Sequence, residues 1–416
     1  MTGAAVATRR AQVVLAGVVA LQLVAETALT PYWPLLFRRL FGLEELAATG
    51  SFLTVARLAG LAALPLWGLA ALRWPVRTLL VTGLLLSAVF DLALAVAPTW
   101  WSFTAFSAGQ VACGSALVLA YPVLVEVTER PGRADRSVGV VTYWAVFHAS
   151  MVLATLVGAG IVGLHEPRWG LAAFALVDVA LAVAVLCLVP AARPRRAAPA
   201  GPRPVVDRRA VGRRALWRRL RPWLALVVAV VAVDAAIAVP RPYFVELLVR
   251  QDVSTAAAGW LFLVPGLASL VLLPVTPWLL DRLGRGAAPV AALAGGTGLL
   301  VQALGAAGED SVTVLAGRVL FGAGTGVLLV VLDLAVFDRI GTQGTAFSAI
   351  ETGRQGALLA APILATAVAG AWLGAPLLAA AVILVLAGAL FLAARPPAMS
   401  PSPETQENPR VLDPVH

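Results

Sequence analysis

The sequence predicts an all-α integral membrane protein with twelve transmembrane helices in two pseudo-symmetric six-helix bundles. Three observations carry that prediction. First, the chain is 60% hydrophobic and only 13% charged, about half the charge of an ordinary soluble domain. Second, its apolar residues fall in continuous runs of about twenty, the length of a helix that crosses hydrocarbon. Only helices and closed barrels satisfy their backbone in lipid, and the runs lack the alternation of a barrel strand. Third, a basic stretch at mid-chain divides the runs six and six.

In chain order the spans are read at 12–36, 49–72, 78–97, 101–126, 137–163 and 169–190. After the basic stretch come 223–247, 255–280, 288–307, 312–336, 345–368 and 374–394. Residues 1–190 then form the N-terminal bundle and 223–394 the C-terminal bundle. Residues 191–222, with eleven arginines, form a flexible cytoplasmic linker, and 395–416 a flexible cytoplasmic tail.

All 31 basic residues are arginine. They gather at particular span ends: Arg9 and Arg10, Arg73 and Arg77, Arg130, Arg133 and Arg136, and Arg282 and Arg285. By the positive-inside rule these ends and both termini are cytoplasmic. With the Ala, Gly and Pro load, this suggests a bacterial inner membrane. The net charge of +9 is thus a topology signal and not a nucleic-acid footprint. The linker arginines are suited to anionic lipid head groups. Cys113 and Cys187 both lie inside spans, so no disulfide framework is indicated. No Walker-type phosphate loop, metal-spaced cluster or nucleophile–base set appears. ATP is therefore not the energy source, no metal or cofactor is implied, and the chain is not read as an enzyme.

The two halves repeat. Pro31-Tyr32 recurs as Pro242-Tyr243 (242 − 31 = 211). Ala47-Ala48-Thr49-Gly50 recurs as Ala256-Ala257-Ala258-Gly259 (256 − 47 = 209). Internal repeats joined at a midpoint mark transporters, with the substrate held between them near the midplane. Charged turns close the second span of each half: Pro277-Trp-Leu-Leu-Asp281-Arg282-Leu-Gly284-Arg285-Gly, and the weaker Gly68-Leu-Ala-Ala-Leu72-Arg73-Trp-Pro-Val-Arg77.

On these turns the chain resembles the major facilitator superfamily over essentially its whole length. That family's loop motif, G-x-L-A-D-R-x-G-R-R, keeps its D-R-x-G core at Asp281, Arg282 and Gly284, with Arg285 following. In the first half only Gly68, Arg73 and Arg77 survive. A second family pattern, arginine before a glycine-rich helix, is similar to Arg318-Val-Leu-Phe-Gly322-Ala-Gly324-Thr-Gly326. A degraded form of the family's exporter motif lies at Gly158-Ala159-Gly160. The resemblance implies alternating access, a cytoplasmic gate at the Asp281 turn, and a central cavity lined by the first and fourth helices of each half.

Ionisable groups inside spans are functional candidates by default. Glu26 and Arg57 are expected at similar depth and are read as a pair. Asp234 lies near mid-membrane, about 17 Å into its span, with Arg241 two turns on along the same face. The resemblance turns Glu26, Asp234 and Arg318 toward the cavity, with Glu26 and Asp234 as proton carriers. Asp91 and Asp178 are placed on peripheral helices in structural roles, His148 is read as a packing residue, and Glu351 and Arg354 as a local pair. The expected function is a proton-coupled exporter of a small organic molecule, acting as a monomer with substrate, protons and lipid as its partners. An importer of a metabolite or organic anion held by Arg57, Arg241 or Arg318 is the alternative. An intramembrane enzyme or sensor is a third class, which the repeat disfavours.

Overall fold

The computed structural model describes residues 17–18, 20–119, 136–189, 213–340 and 345–393. Among them no strand occurs. In chain order the helices are α1 (20–27), α2 (Trp33–Phe41), α3 (Leu46–Ala71), α4 (Val76–Val96), α5 (Trp100–Gly114), α6 (Arg136–Gly163) and α7 (Pro167–Leu188). The second half holds α8 (Arg213–Ala238), α9 (Phe244–Val249), α10 (Thr255–Leu272), α11 (Thr276–Leu283), α12 (Ala287–Ala307), α13 (Ser311–Ile340), α14 (Thr345–Ala369) and α15 (Ala375–Ala393). Eight are long and apolar enough to cross a membrane by length and composition. The helix of the seventh span starts at Arg213, inside the stretch read as linker.

Spans one and seven are each broken at the same point of the repeat. Pro31 starts a 3₁₀ turn over Thr30–Tyr32, and Pro240 and Pro242 fall in the turn that separates α8 from α9. Proline removes a backbone donor and its ring crowds the preceding turn, so a continuous helix is lost at both places. Span eight breaks likewise at Pro274, in the 3₁₀ turn Leu273–Val275.

Helix ends follow ordinary capping rules. Gly42 closes α2 at φ 68°, where a side chain would be strained. Thr99 and Ser102 form a reciprocal capping box at the start of α5. Asp310 caps α13. The Thr313 hydroxyl and the Val312 amide hold its carboxyl below the usual carboxylate range, because both donate to the ionised form.

Two faces alternate along the chain. The far face carries the connections at 42–45, 97–99, 164–166, 250–254, 308–310 and 370–374, and the linker face carries those at 72–75 and 284–286. The halves meet where α3 packs on α14 and where α6 packs on α10 and α13. Near the far face Arg38 of the first half pairs with Glu246 of the second. Glu246 is 0% exposed and also takes Arg250 at 2.7 Å. Tyr243 Oη donates to the Leu46 carbonyl at 3.0 Å, again across the halves.

The second half is the more tightly closed. In the seam between α12 and α13, a Cβ on Gly298 would sit 2.4 Å from the Phe321 nitrogen, and one on Gly324 2.4 Å from the Gly295 nitrogen. Small residues there let two backbones touch. The glycines that follow Arg318 serve close packing: Gly322 lies against Pro265 and Gly326 against Ser269.

Candidate functional site

Three charged side chains meet at the junction of the halves. Arg354 on α14 pairs through Nε with Asp234 Oδ2 on α8 at 3.2 Å, and its Nη2 donates to Asp333 Oδ1 on α13 at 2.6 Å. The other oxygen of Asp333 accepts from Trp144 Nε1 on α6 at 2.9 Å. Trp144 belongs to the first half, so this network crosses from one bundle to the other. Asp333 and Trp144 are buried, while Asp234 and Arg354 are half-buried.

Arg354 reaches across to Asp234 and Asp333; the Glu351 side chain, with which a local pair was expected, lies outside the described residues. Arg241 does not share a helical face with Asp234. The helix ends at Ala238, and the proline turn carries Arg241 away from it.

In the first half, Arg57 Nη1 donates to Glu26 Oε1 at 2.5 Å, the pair expected from their depths. Both line a cavity of about 80 Å³ enclosed by α1, α3, α4, α5 and α7. Trp33, Phe52 and Phe174 give it apolar walls, and Asp91, Ser107 and Gln110 give it polar ones. Space of that size holds a few waters. Asp91 and Asp178, expected at the periphery, are both buried.

Arg241 lies within electrostatic reach of Arg57, His148 and Arg318. Its guanidinium has one hydrogen-bond partner among the described residues, the Met151 thioether at 2.9 Å, a weak acceptor. His148 is buried between the rings of Trp144 and Phe147, as a packing residue would be.

Arg318 is spent on structure. It is 4% exposed; its Nε donates to the Leu261 carbonyl at 2.9 Å, its Nη2 to the Phe262 carbonyl, and its Nη1 to Gln302 Oε1 at 3.4 Å. Its guanidinium also stacks over Phe244 at 4.1 Å. It ties α13 to α10 and α12.

At the linker face, Asp281 and Arg282 are exposed and Arg282 lies over the Trp278 ring at 5.2 Å. Gly284 sits at φ 47°, which explains the glycine of the motif. Asp281 makes no ion pair among the described residues, and the side chain of Arg285 lies outside them. Arg73 is exposed, and Arg77 donates to the Leu186 carbonyl at the end of α7, where a helix favours cations. Among the described residues, the ion pair Arg38–Glu246 and the Tyr243–Leu46 bond join the halves near the far face.

What sequence reasoning did not foresee is the bridging role of Arg354, its contact with Asp333 and that of Asp333 with Trp144, the part played by Gln302, and the Arg38–Glu246 pair. The repeat offset could have found Gln302, since it is set by positions already matched. The others are joined only by three-dimensional packing.

The family model described as Major Facilitator Superfamily matches the chain twice, over residues 15–248 and 224–415. Among solved structures, the nucleoside transporter NupG is similar with TM-score 0.67 at 13% identity, covering 92% of this chain and 99% of that one. The human organic anion transporter MFSD10 (TETRAN) is similar with TM-score 0.62 at 17% identity, again covering 92% and 99%. At such identities the likeness is one of fold. No curated protein sequence matches the chain.

Proposed function

The chain belongs to the major facilitator superfamily, and on that premise we propose that it is a proton-coupled secondary transporter that exports a small organic molecule by alternating access. The observation that carries this reading is Arg354 held between two carboxylates, Asp234 and Asp333, with Asp333 also tied to Trp144 of the opposite half. Protonation of either carboxylate frees one arm of Arg354. The arginine then shifts its weight to the other acid, and the Trp144 contact strengthens or breaks with it. A proton is thereby linked to the separation of the bundles, a two-state element of the kind that rocking transporters need. Opening of the far face requires Arg38–Glu246 and Tyr243–Leu46 to part.

The arginine distribution supports a bacterial cytoplasmic membrane with the linker face inside. The linker would then lie against anionic lipid, and the chain would act as a monomer. The Gly158–Gly163 stretch supports export. Uptake of an organic anion is the second reading, favoured by Arg241, an interior guanidinium whose one hydrogen-bond partner among the described residues is a thioether. The test uses vesicles carrying the purified chain and a pH gradient, to which organic solutes are added one at a time. A transported solute collapses the gradient. Asp234→Asn should remove that coupling; coupling left intact would exclude Asp234 as the coupling residue. Solute accumulation in cells lacking the chain supports export, and failure to grow on one solute supports uptake.

A further inference from the structure

The repeat relates two interior sites that the sequence has built differently. In the second half Gln302, Arg318 and Phe244 form one cluster: the guanidinium lies over the ring and donates to the amide. Their repeat mates, at the offset set by Pro31 and Pro242, are Asp91 (302 − 91 = 211), Ser107 (318 − 107 = 211) and Trp33 (244 − 33 = 211). These three line the cavity of the first half. Where the second half places an arginine, the first half has a serine and open space. Where the second half has a neutral amide, the first half has a carboxyl.

Asp91 is 5% exposed and Asp178, on the adjoining α7, is 2% exposed. Each carries a carboxyl oxygen with no hydrogen-bond partner among the described residues, and the two helices that carry them, α4 and α7, pack on one another. Ser87, one turn before Asp91, accepts from Gln110 Nε2 at 3.3 Å and stands beside Asp178.

The charged and titratable groups on the elements packed around them are otherwise committed or distant. Arg57 is paired to Glu26. Arg168 donates to the carbonyls of Ala95 and Ala97 at 3.0 and 2.8 Å. Arg77 holds the end of α7. Helix α5 offers only Cys113, and α7 otherwise only the exposed Cys187. No described cation neutralises the acids, and two carboxyls so placed in a low-dielectric interior do not both ionise.

We propose that Asp91 and Asp178 hold one proton between them, at the repeat image of Gln302, beside the water-sized cavity that Asp91 lines together with Glu26 and Arg57. The site is separate from the Asp234–Arg354–Asp333 network and titrates as a unit. It gives the first half its own proton store, where the second half carries a permanent internal cation.

Infrared difference spectroscopy on the purified full chain in lipid discs, titrated with acid and base, tests this without any transported solute. A carbonyl band of a protonated buried carboxyl is expected at neutral pH, lost in Asp91→Asn and also in Asp178→Asn, and unaffected by Asp234→Asn. Ser107→Arg, which installs the cation of the second half, should abolish the same band with the fold retained. If an Asn variant does not fold, Asp91→Glu keeps the carboxyl and should shift the band. Thermal stabilisation of the wild type by sodium chloride over choline chloride, lost in Asp91→Asn, would overturn the proton in favour of sodium. A band unchanged in both Asn variants, or no such band in the wild type, would overturn the shared proton. Because no solute is involved, failure here leaves the Asp234 reading standing, and loss of coupling in Asp234→Asn leaves this one standing.

Discussion

The two six-helix halves descend through one repeat and yet spend their interior differently. The second half packs as one large apolar cluster, which Tyr32, Val140 and Trp144 of the first half join, with the glycine seam of α12 and α13 and with Arg318 and Gln302 at its polar centre. The first half divides its buried apolar residues among three smaller clusters and keeps a cavity where the arginine would be. A half whose interior cation is bonded to backbone carbonyls is a rigid body. A half with buried acids and water-sized space can change its charge. On the proposed reading the first half holds a proton in its interior, at Asp91 and Asp178, whereas the titrating acids of the second half, Asp234 and Asp333, lie at the junction, tied through Arg354 and to Trp144.

The comparison can be broken in several ways, from the largest effect down. Removing Arg354 leaves Asp234 and Asp333 without their shared cation. Arg354→Ala should cost about 3–5 kcal/mol, as breaking a buried pair does, and should sharply lower the yield of folded protein; a melting temperature near wild type would show that the network does not hold the halves. Next is the glycine seam. Gly298→Val forces a side chain into the Phe321 backbone and should destabilise by about 1–3 kcal/mol. Gly160→Val, in the first half with open space around it, should change thermal stability little; equal losses would mean the halves do not differ in rigidity. The Glu26–Arg57 pair is partly exposed, so a double-mutant cycle with Glu26→Gln and Arg57→Gln should give a coupling of about 0.5–1 kcal/mol; additive losses would show that the pair contributes nothing.

The smallest effect lies outside the membrane. Asp310 has its carboxyl held low in the folded state, so its stabilising contribution is present at neutral pH and fades as pH falls through that lowered value. Asp310→Ala should lower the melting temperature slightly at pH 7 and progressively less in acid; an equal shift at both pH values would deny the cap a charged role.

Much of this was legible in the sequence, for physical reasons. Span length and composition report the solvent, and the offset between Pro31 and Pro242 reports the repeat. Depth along a helix, at about 1.5 Å per residue, was enough to join Glu26 to Arg57, because both lie on helices that adjoin through the cavity. Depth was not enough for Arg354. It says nothing of which way a side chain points, and Asp234, Asp333 and Trp144 arrive on three other helices. Arg241 was misplaced because a proline turn ends α8 at Ala238, which no periodicity announces. For Asp91 and Asp178 the order of helices places the helix and says nothing of which side of it is buried; both side chains are. The glycine of the Asp281 turn has a geometric reason, the positive φ of Gly284, which the motif alone does not state.

The most direct measurement is proton-driven flux in vesicles carrying wild type, Asp234→Asn or Asp333→Asn, set beside solute exchange in the same vesicles with no pH gradient. Both variants should lose accumulation driven by the gradient while still exchanging solute across the membrane. Accumulation at the wild-type rate in both variants would contradict the assignment of coupling to the Asp234–Arg354–Asp333 network.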